Sequence, residues 1–112
     1  MKALVKNNID KFILQVRELL GSSLSEIILY GSYARGDYNE NSDIDLMLLV
    51  DMKENEIKQI VNSVYDLAFD FELGEGIHIS IMIKNTKEYE YWAYTLPFYK
   101  NVKKEGVVIR AE

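Results

Sequence analysis

There is no cysteine in this sequence, so neither a disulfide framework nor a thiolate zinc site is available to it. Histidine occurs once, at His78, which excludes a metal site of several imidazoles and leaves any cation to oxygen ligands. No stretch approaches the ~18 consecutive apolar residues of a membrane span. The opening residues, MKALVKNNIDKFILQV, lack the apolar core and small-residue cleavage site of a secretory leader, and a cytoplasmic location is the expectation. Excess positive charge is missing too: 13 Lys and Arg stand against 18 Asp and Glu, a net charge of −5. Nonspecific grip on nucleic acid depends on many cations neutralising phosphates, so strong nucleic-acid binding is not expected. A local basic group does occur at Lys100, Lys103, Lys104 and Arg110, beside Tyr94, Phe98 and Tyr99. A solvated helix face is its plainer reading and a local binding patch the other.

What is present fits one domain, residues 1–112, large enough to bury a core without disulfides or a structural metal. Val5, Ile9, Phe12, Ile13, Val16, Leu19 and Leu20 recur at helical spacing and predict an amphipathic helix over about residues 3–20, ended by Gly21. Glu26 to Tyr30 is short, apolar and β-branched, a strand that runs into Gly31-Ser32. The polar stretch to Ser42 reads as a loop with room for one helical turn. Asp43 to Val50 is a second strand, with Asp43, Asp45 and Met47 on one face and Ile44, Leu46 and Leu48 on the other.

Asp51 is placed to cap the next helix, with Glu54 for a capping box and Ile57, Ile60, Val61, Val64 and Leu67 as its buried stripe. Residues 69–73 and 77–83 alternate like the two strands of a hairpin around Gly74-Glu75-Gly76, with Phe69 and Phe71 on one face. Thr86 opens a further helix, and Pro97 starts a short one closed by Gly106. Within the aromatic segment 89–99, Trp92 and Leu96 read as core, and Tyr94 and Tyr99 as interface. The order predicts an α+β domain with a mixed sheet.

The chemically informative feature is Gly31-Ser32 followed, after residues 33–42, by Asp43-Ile44-Asp45. Four fixed residues at fixed offsets arise by chance in roughly one in several hundred to a thousand chains of this length. Glycine at a strand end lets a phosphate approach the backbone, and serine after it offers a hydroxyl and an amide hydrogen to phosphate oxygens. Carboxylates at i and i+2 of a strand leave one face about 6.5–7 Å apart, near enough to share cations. Mg²⁺ favours one or two carboxylates, waters and substrate phosphates. Taken alone, Asp43-x-Asp45 would suit a solvated sheet face as well as a metal site. The Gly-Ser pair before it and the apolar run after it favour the metal.

The stretch Leu29-Tyr30-Gly31-Ser32-Tyr33-Ala34-Arg35-Gly36-Asp37, followed by Asn41-Ser42-Asp43-Ile44-Asp45-Leu46, resembles the signature of the minimal nucleotidyltransferases, a branch of the DNA polymerase beta superfamily. The ending Pro97-Phe98-Tyr99-Lys100-Asn101-Val102-Lys103-Lys104-Glu105-Gly106 is similar to the tail of its stand-alone members. The resemblance implies a nucleotidyltransferase fold, a mixed sheet with helices mainly on one face. It implies that Gly31 and Ser32 contact the triphosphate, and that Asp43 and Asp45 are catalytic residues holding Mg²⁺, two ions with the nucleotide. Arg35 and Ser42 lie in the loop between; Arg35 either meets a phosphate or holds Asp37 in a surface pair.

The superfamily usually adds a third carboxylate on a neighbouring strand. On residues 77–83 the matching face offers His78 and Ser80, and Asp70 and Glu72 are the nearby acids. His78, Asp70 and Glu72 are therefore the candidates for a third site residue, His78 because imidazole exchanges protons near neutrality.

The resemblance implies transfer of a nucleoside monophosphate, AMP from ATP, to a hydroxyl acceptor. Stand-alone members are commonly paired with a HEPN-domain ribonuclease toxin, which they neutralise by attaching AMP to a tyrosine, so the expected role is an antitoxin acting as a protein adenylyltransferase. Two alternatives stand beside it: a degenerate module that binds nucleotide or partner without turnover, and an antibiotic-type enzyme acting on a small hydroxylated molecule.

Overall fold

A computed structural model describes residues 3–109 of the chain, with side chains from Lys6 onward. Arg110 and the Val5 side chain lie outside what is described. Helix α1 (Ala3–Leu20) forms as its periodicity predicts, burying Ile9, Phe12, Ile13, Val16 and Leu20, while Leu19 remains 43% exposed. Gly21, at φ 56°, breaks it into a single 3-10 turn leading to β1 (Leu24–Tyr30). The 31–43 loop does hold one helical turn, α2 (Ser32–Arg35), before β2 (Ile44–Val50). Then come α3 (Glu54–Glu75), β3 (Ile79–Asn85), α4 (Thr86–Trp92), α5 (Pro97–Glu105) and β4 (Val107–Ile109).

The expected hairpin over 69–83 is absent. Residues 69–75 continue α3, and β3 lies parallel to β2, so the two are joined by a helical crossover. A strand would place Phe69 and Phe71 on one face. A helix turns them about 200° apart, and Phe71 is accordingly buried against Phe12, ring centroids 5.7 Å apart, while Phe69 is 57% exposed. Val64, Ala68 and Phe71 are the buried positions of α3, at i, i+4 and i+7. Gly76, at φ 71°, closes the helix and donates its N–H to the Glu72 carbonyl at 2.8 Å. The N-terminal cap also differs: Lys53 occupies it, and the Glu56 carboxylate accepts from the Lys53 N–H at 3.1 Å, so Asp51 and Glu54 are not the capping pair.

The sheet has the order β3-β2-β1-β4, with β1 antiparallel to β2 and β4. It is the mixed sheet of an α+β domain. The larger core fills the face under α1 and α3 and takes Ile44, Leu46, Leu48 and Val50 from β2. A smaller cluster of Ile28, Met47, Leu49, Tyr89 and Val102 lies on the other face under α4 and α5. Central β2 is thus apolar on both faces except at its start, where Asp43 and Asp45 stand. In the aromatic segment, Trp92 and Tyr99 are half-buried against each other, centroids 5.5 Å apart, whereas Tyr94 and Leu96 are exposed. Leu96 is therefore not core, and Tyr99 packs against the smaller core cluster.

Candidate functional site

Three strands bring the sequence motif together. Asp45 sits beside Tyr30 of β1 on one side and Ser80 of β3 on the other. Directly after Tyr30, Gly31 turns the chain at φ 73° and ψ −154°, a conformation nearly restricted to glycine. A methyl group on its Cα would collide with the Asp45 carboxylate. Gly31 is thus required twice, by its backbone angles and by the acid against it. Its carbonyl accepts from the N–H groups of Ala34 and Arg35, both at 3.1 Å, which winds α2 immediately behind the turn.

The Asp45 carboxyl is half-buried, and burial raises its pKa. The neighbouring Asp43 raises it further, while Arg35 and His78 act in the opposite direction. Tyr30 is pushed up to about 12 by burial, then by the charges of Asp45 and Tyr99. Asp43 is more open, with its side chain 53% exposed and Oδ2 3.9 Å from Nε2 of His78. An ionised carboxylate only accepts, so the other imidazole nitrogen donates: Nδ1–H of His78 to Oε1 of Glu72, 3.0 Å. The Ile44 N–H donates to the His78 carbonyl at 3.0 Å, the backbone bond that sets His78 beside Asp43.

The candidates for a third acid separate here. Glu72 reaches the site through His78. Asp70 lines a groove between α1 and α3 with Gln15, Glu18 and Asp66, and borders neither cleft at the aspartates. On β3, the positions sharing a face with Ser80 are Met82 and Lys84. Among the described residues, no group of three or more Asp, Glu or His side chains converges as a metal site. Ser42 serves the loop itself, its Oγ accepting from the Asn39 N–H at 2.9 Å.

Arg35 does pair with Asp37, Nε to Oδ2 at 3.2 Å, and it also reaches Oε2 of Glu105 at 3.4 Å. Glu105 belongs to a wall that sequence reasoning missed. Phe98, Asn101, Val102 and Glu105 of α5 line a cleft of about 490 Å³ opposite Tyr30, Gly31, Ser32, Arg35 and Asp45. Their i, i+3, i+4, i+7 spacing was a readable signal that one face of α5 is engaged. A second cleft, about 550 Å³, lies between the 38–43 loop and residues 76–78, and Asp43 and His78 border it.

Gly31, Ser32, Asp45 and the Arg35 guanidinium thus border one cleft, with Asp43 beside Asp45. The family profile described as nucleotidyltransferase domain matches residues 9–109. The chain belongs to the nucleotidyltransferase domain family. Its relatives include three proteins of Methanocaldococcus jannaschii provisionally named protein adenylyltransferases. One is 31% identical over 90% of this nucleotidyltransferase and 93% of its own length, and another 39% identical over 62% and 75%. The fold is shared with crystal structures of a toxin-antitoxin with AMP-PNP, at 19% identity, and of a mutant toxin-antitoxin MntA-HpeT, at 17%. Each superposes with a TM-score of 0.57, covering 92% of this nucleotidyltransferase and 73% of the other chain. No helix among its described residues is long and apolar enough to cross a membrane.

Proposed function

We propose that this nucleotidyltransferase transfers AMP from ATP to a hydroxyl of a partner protein, a tyrosine of a HEPN-domain toxin, and so serves as a cytoplasmic antitoxin. The observation that carries the nucleotide half is Gly31 set against Asp45. Gly31 follows β1 without a side chain and the Asp45 carboxylate lies directly against it, so the turn that would receive a phosphate and an acid that would hold its cation are adjacent. A protein as acceptor is supported by the names of the relatives, and a tyrosine of a HEPN toxin by the family resemblance alone.

The residues fit Mg²⁺. The donors are all oxygen, and the charge of Asp43 acts on the half-buried Asp45 carboxyl and raises its pKa, a repulsion that a cation relieves. When bound, Mg²⁺ neutralises charge on the phosphate oxygens. Asp43 and Asp45 would hold it, two ions with the nucleotide, while Gly31 and Ser32 receive the triphosphate. Arg35, on the same cleft wall, exchanges Asp37 and Glu105 for a phosphate oxygen. The acceptor oxygen then bonds to the α-phosphorus as the bond to the leaving pyrophosphate breaks, and the cleft contributes by fixing that line.

One observation favours a second reading, a module that binds nucleotide without turnover: the β3 position beside Asp45 is Ser80, not an acid. Incubation with α-labelled ATP and Mg²⁺, with and without the protein encoded beside this chain, separates the two on a denaturing gel. Mg²⁺-dependent label on that protein, lost in Asp43→Asn/Asp45→Asn, is the expected result. Nucleotide binding with no labelled polypeptide would overturn transfer and leave the binding module.

A further inference from the structure

The two aspartates border different clefts. Asp45 borders the one walled by α5, together with Gly31, Ser32 and Arg35, and that cleft takes the nucleotide in the reading above, on which this inference rests. The second cleft, bordered by Asp43, has no occupant in that reading.

Its surface is specific in character. Tyr33 and Tyr38 stack with ring centroids 4.3 Å apart and planes 8° from parallel, an aromatic pair that forms one wall of the cleft. Tyr33 packs against the main core, which anchors the pair. Ile77 adds apolar surface, the polar loop 39–42 forms one side, and beyond it stand Asp43 and His78, whose ring Glu72 holds in place. At about 550 Å³ the cleft lies in the size range of ligand sites. Aromatic walls favour planar rings, which stack offset or edge-on, over aliphatic alcohols.

We propose that this second cleft is the acceptor site and that its ligand is a phenol, a tyrosine side chain laid against the Tyr33–Tyr38 wall with its hydroxyl at the Asp43 end. With the phenol at Asp43 and the triphosphate at Asp45, the two reactants meet at the pair of aspartates. The phenolic oxygen forms the bond to the α-phosphorus, the bond from that phosphorus to the bridging oxygen breaks, pyrophosphate leaves, and the phenolic proton is released to solvent.

The test is NMR on the ¹⁵N-labelled chain with Mg²⁺ and a nonhydrolysable ATP analogue, titrated with N-acetyl-tyrosinamide and, separately, N-acetyl-serinamide. Saturable shifts from the phenol at Tyr33, Tyr38 and His78, at least several-fold tighter than with the serine amide, are expected. Tyr38→Ala should abolish them and Tyr38→Phe should keep them, both with the nucleotide shifts at Gly31 and Ser32 intact, which reports that the variants fold. Phenol shifts at Phe98 and Asn101, no saturable shift, or an affinity unchanged by Tyr38→Ala would overturn the inference. So would nucleotide-induced shifts centred on Tyr33 and Tyr38, which would make the wall a base platform. Failure of the nucleotide to shift Gly31 and Ser32 would instead refute the nucleotide assignment itself.

Discussion

Replacing Gly31 by alanine probes the contact on which the site depends. Two costs add. The backbone at φ 73° and ψ −154° lies in a region that side chains avoid, worth about 1–3 kcal/mol. The new methyl must also displace the Asp45 carboxylate from its half-buried position. For a domain of this size, 1 kcal/mol moves Tm by about 4–8 °C, so with strain and a collision on the order of 1 kcal/mol together, thermal melts of the ligand-free protein should show Gly31→Ala falling by roughly 8–30 °C. Gly21→Ala supplies the control, since Gly21 also has positive φ, at 56°, but nothing within 4 Å of an added methyl. It should cost about 1–2 kcal/mol from backbone strain alone and leave nucleotide binding untouched. The decisive comparison is Gly31→Ala/Asp45→Ala. Removing the carboxylate should recover the collision but not the strain, a coupling on the order of 1 kcal/mol in a double-mutant cycle. Strict additivity, with nucleotide affinity surviving in Gly31→Ala, would refute the interlock.

Other expectations follow from burial and charge. Phe71→Ala should lose about 3–5 kcal/mol in urea denaturation and Phe69→Ala no more than about 1 kcal/mol; equal losses would contradict the helical assignment of 69–75. The folded Asp45 holds its proton to higher pH than an ordinary carboxyl, so the native state binds more protons than the unfolded one in that window. Its contribution to stability therefore falls as pH rises from the usual carboxylate range through its raised pKa. Asp45→Asn should accordingly raise Tm at neutral pH without metal while losing the Mg²⁺-nucleotide thermal shift, and a Tm that drops would contradict the burial argument. Arg35→Ala, which removes two exposed ion pairs, should change stability by less than about 1 kcal/mol yet weaken ATP binding several-fold in a filter assay. Unchanged binding would leave Arg35 as a surface pair only.

Local signals read correctly where a single physical rule governs the segment. The period of α1, the alternation of β2 around Asp43 and Asp45, and the helix starts at Thr86 and Pro97 each follow from one-dimensional pattern. Phe69-Asp70-Phe71-Glu72 failed because alternation over four residues fits a strand as well as the last turns of a helix with one exposed phenylalanine. Only the packing of Phe71 on Phe12 chooses between them. The three β-branched residues of β4 were readable as a strand fragment, but their pairing partner, β1, is remote in sequence.

The sequence by itself determined the motif, its residue chemistry and the family, because a Gly-Ser pair after a short apolar strand and two acids at period two are local properties of the chain. Tertiary structure decided what surrounds them. Strand order set Ser80 rather than an acid beside Asp45, the crossover helix delivered Glu72 to His78, and α5 brought Phe98, Asn101 and Glu105 across from Gly31. Those neighbours are joined through space by sheet register and helix packing, which depend on contacts between distant segments and leave no fixed spacing in the sequence.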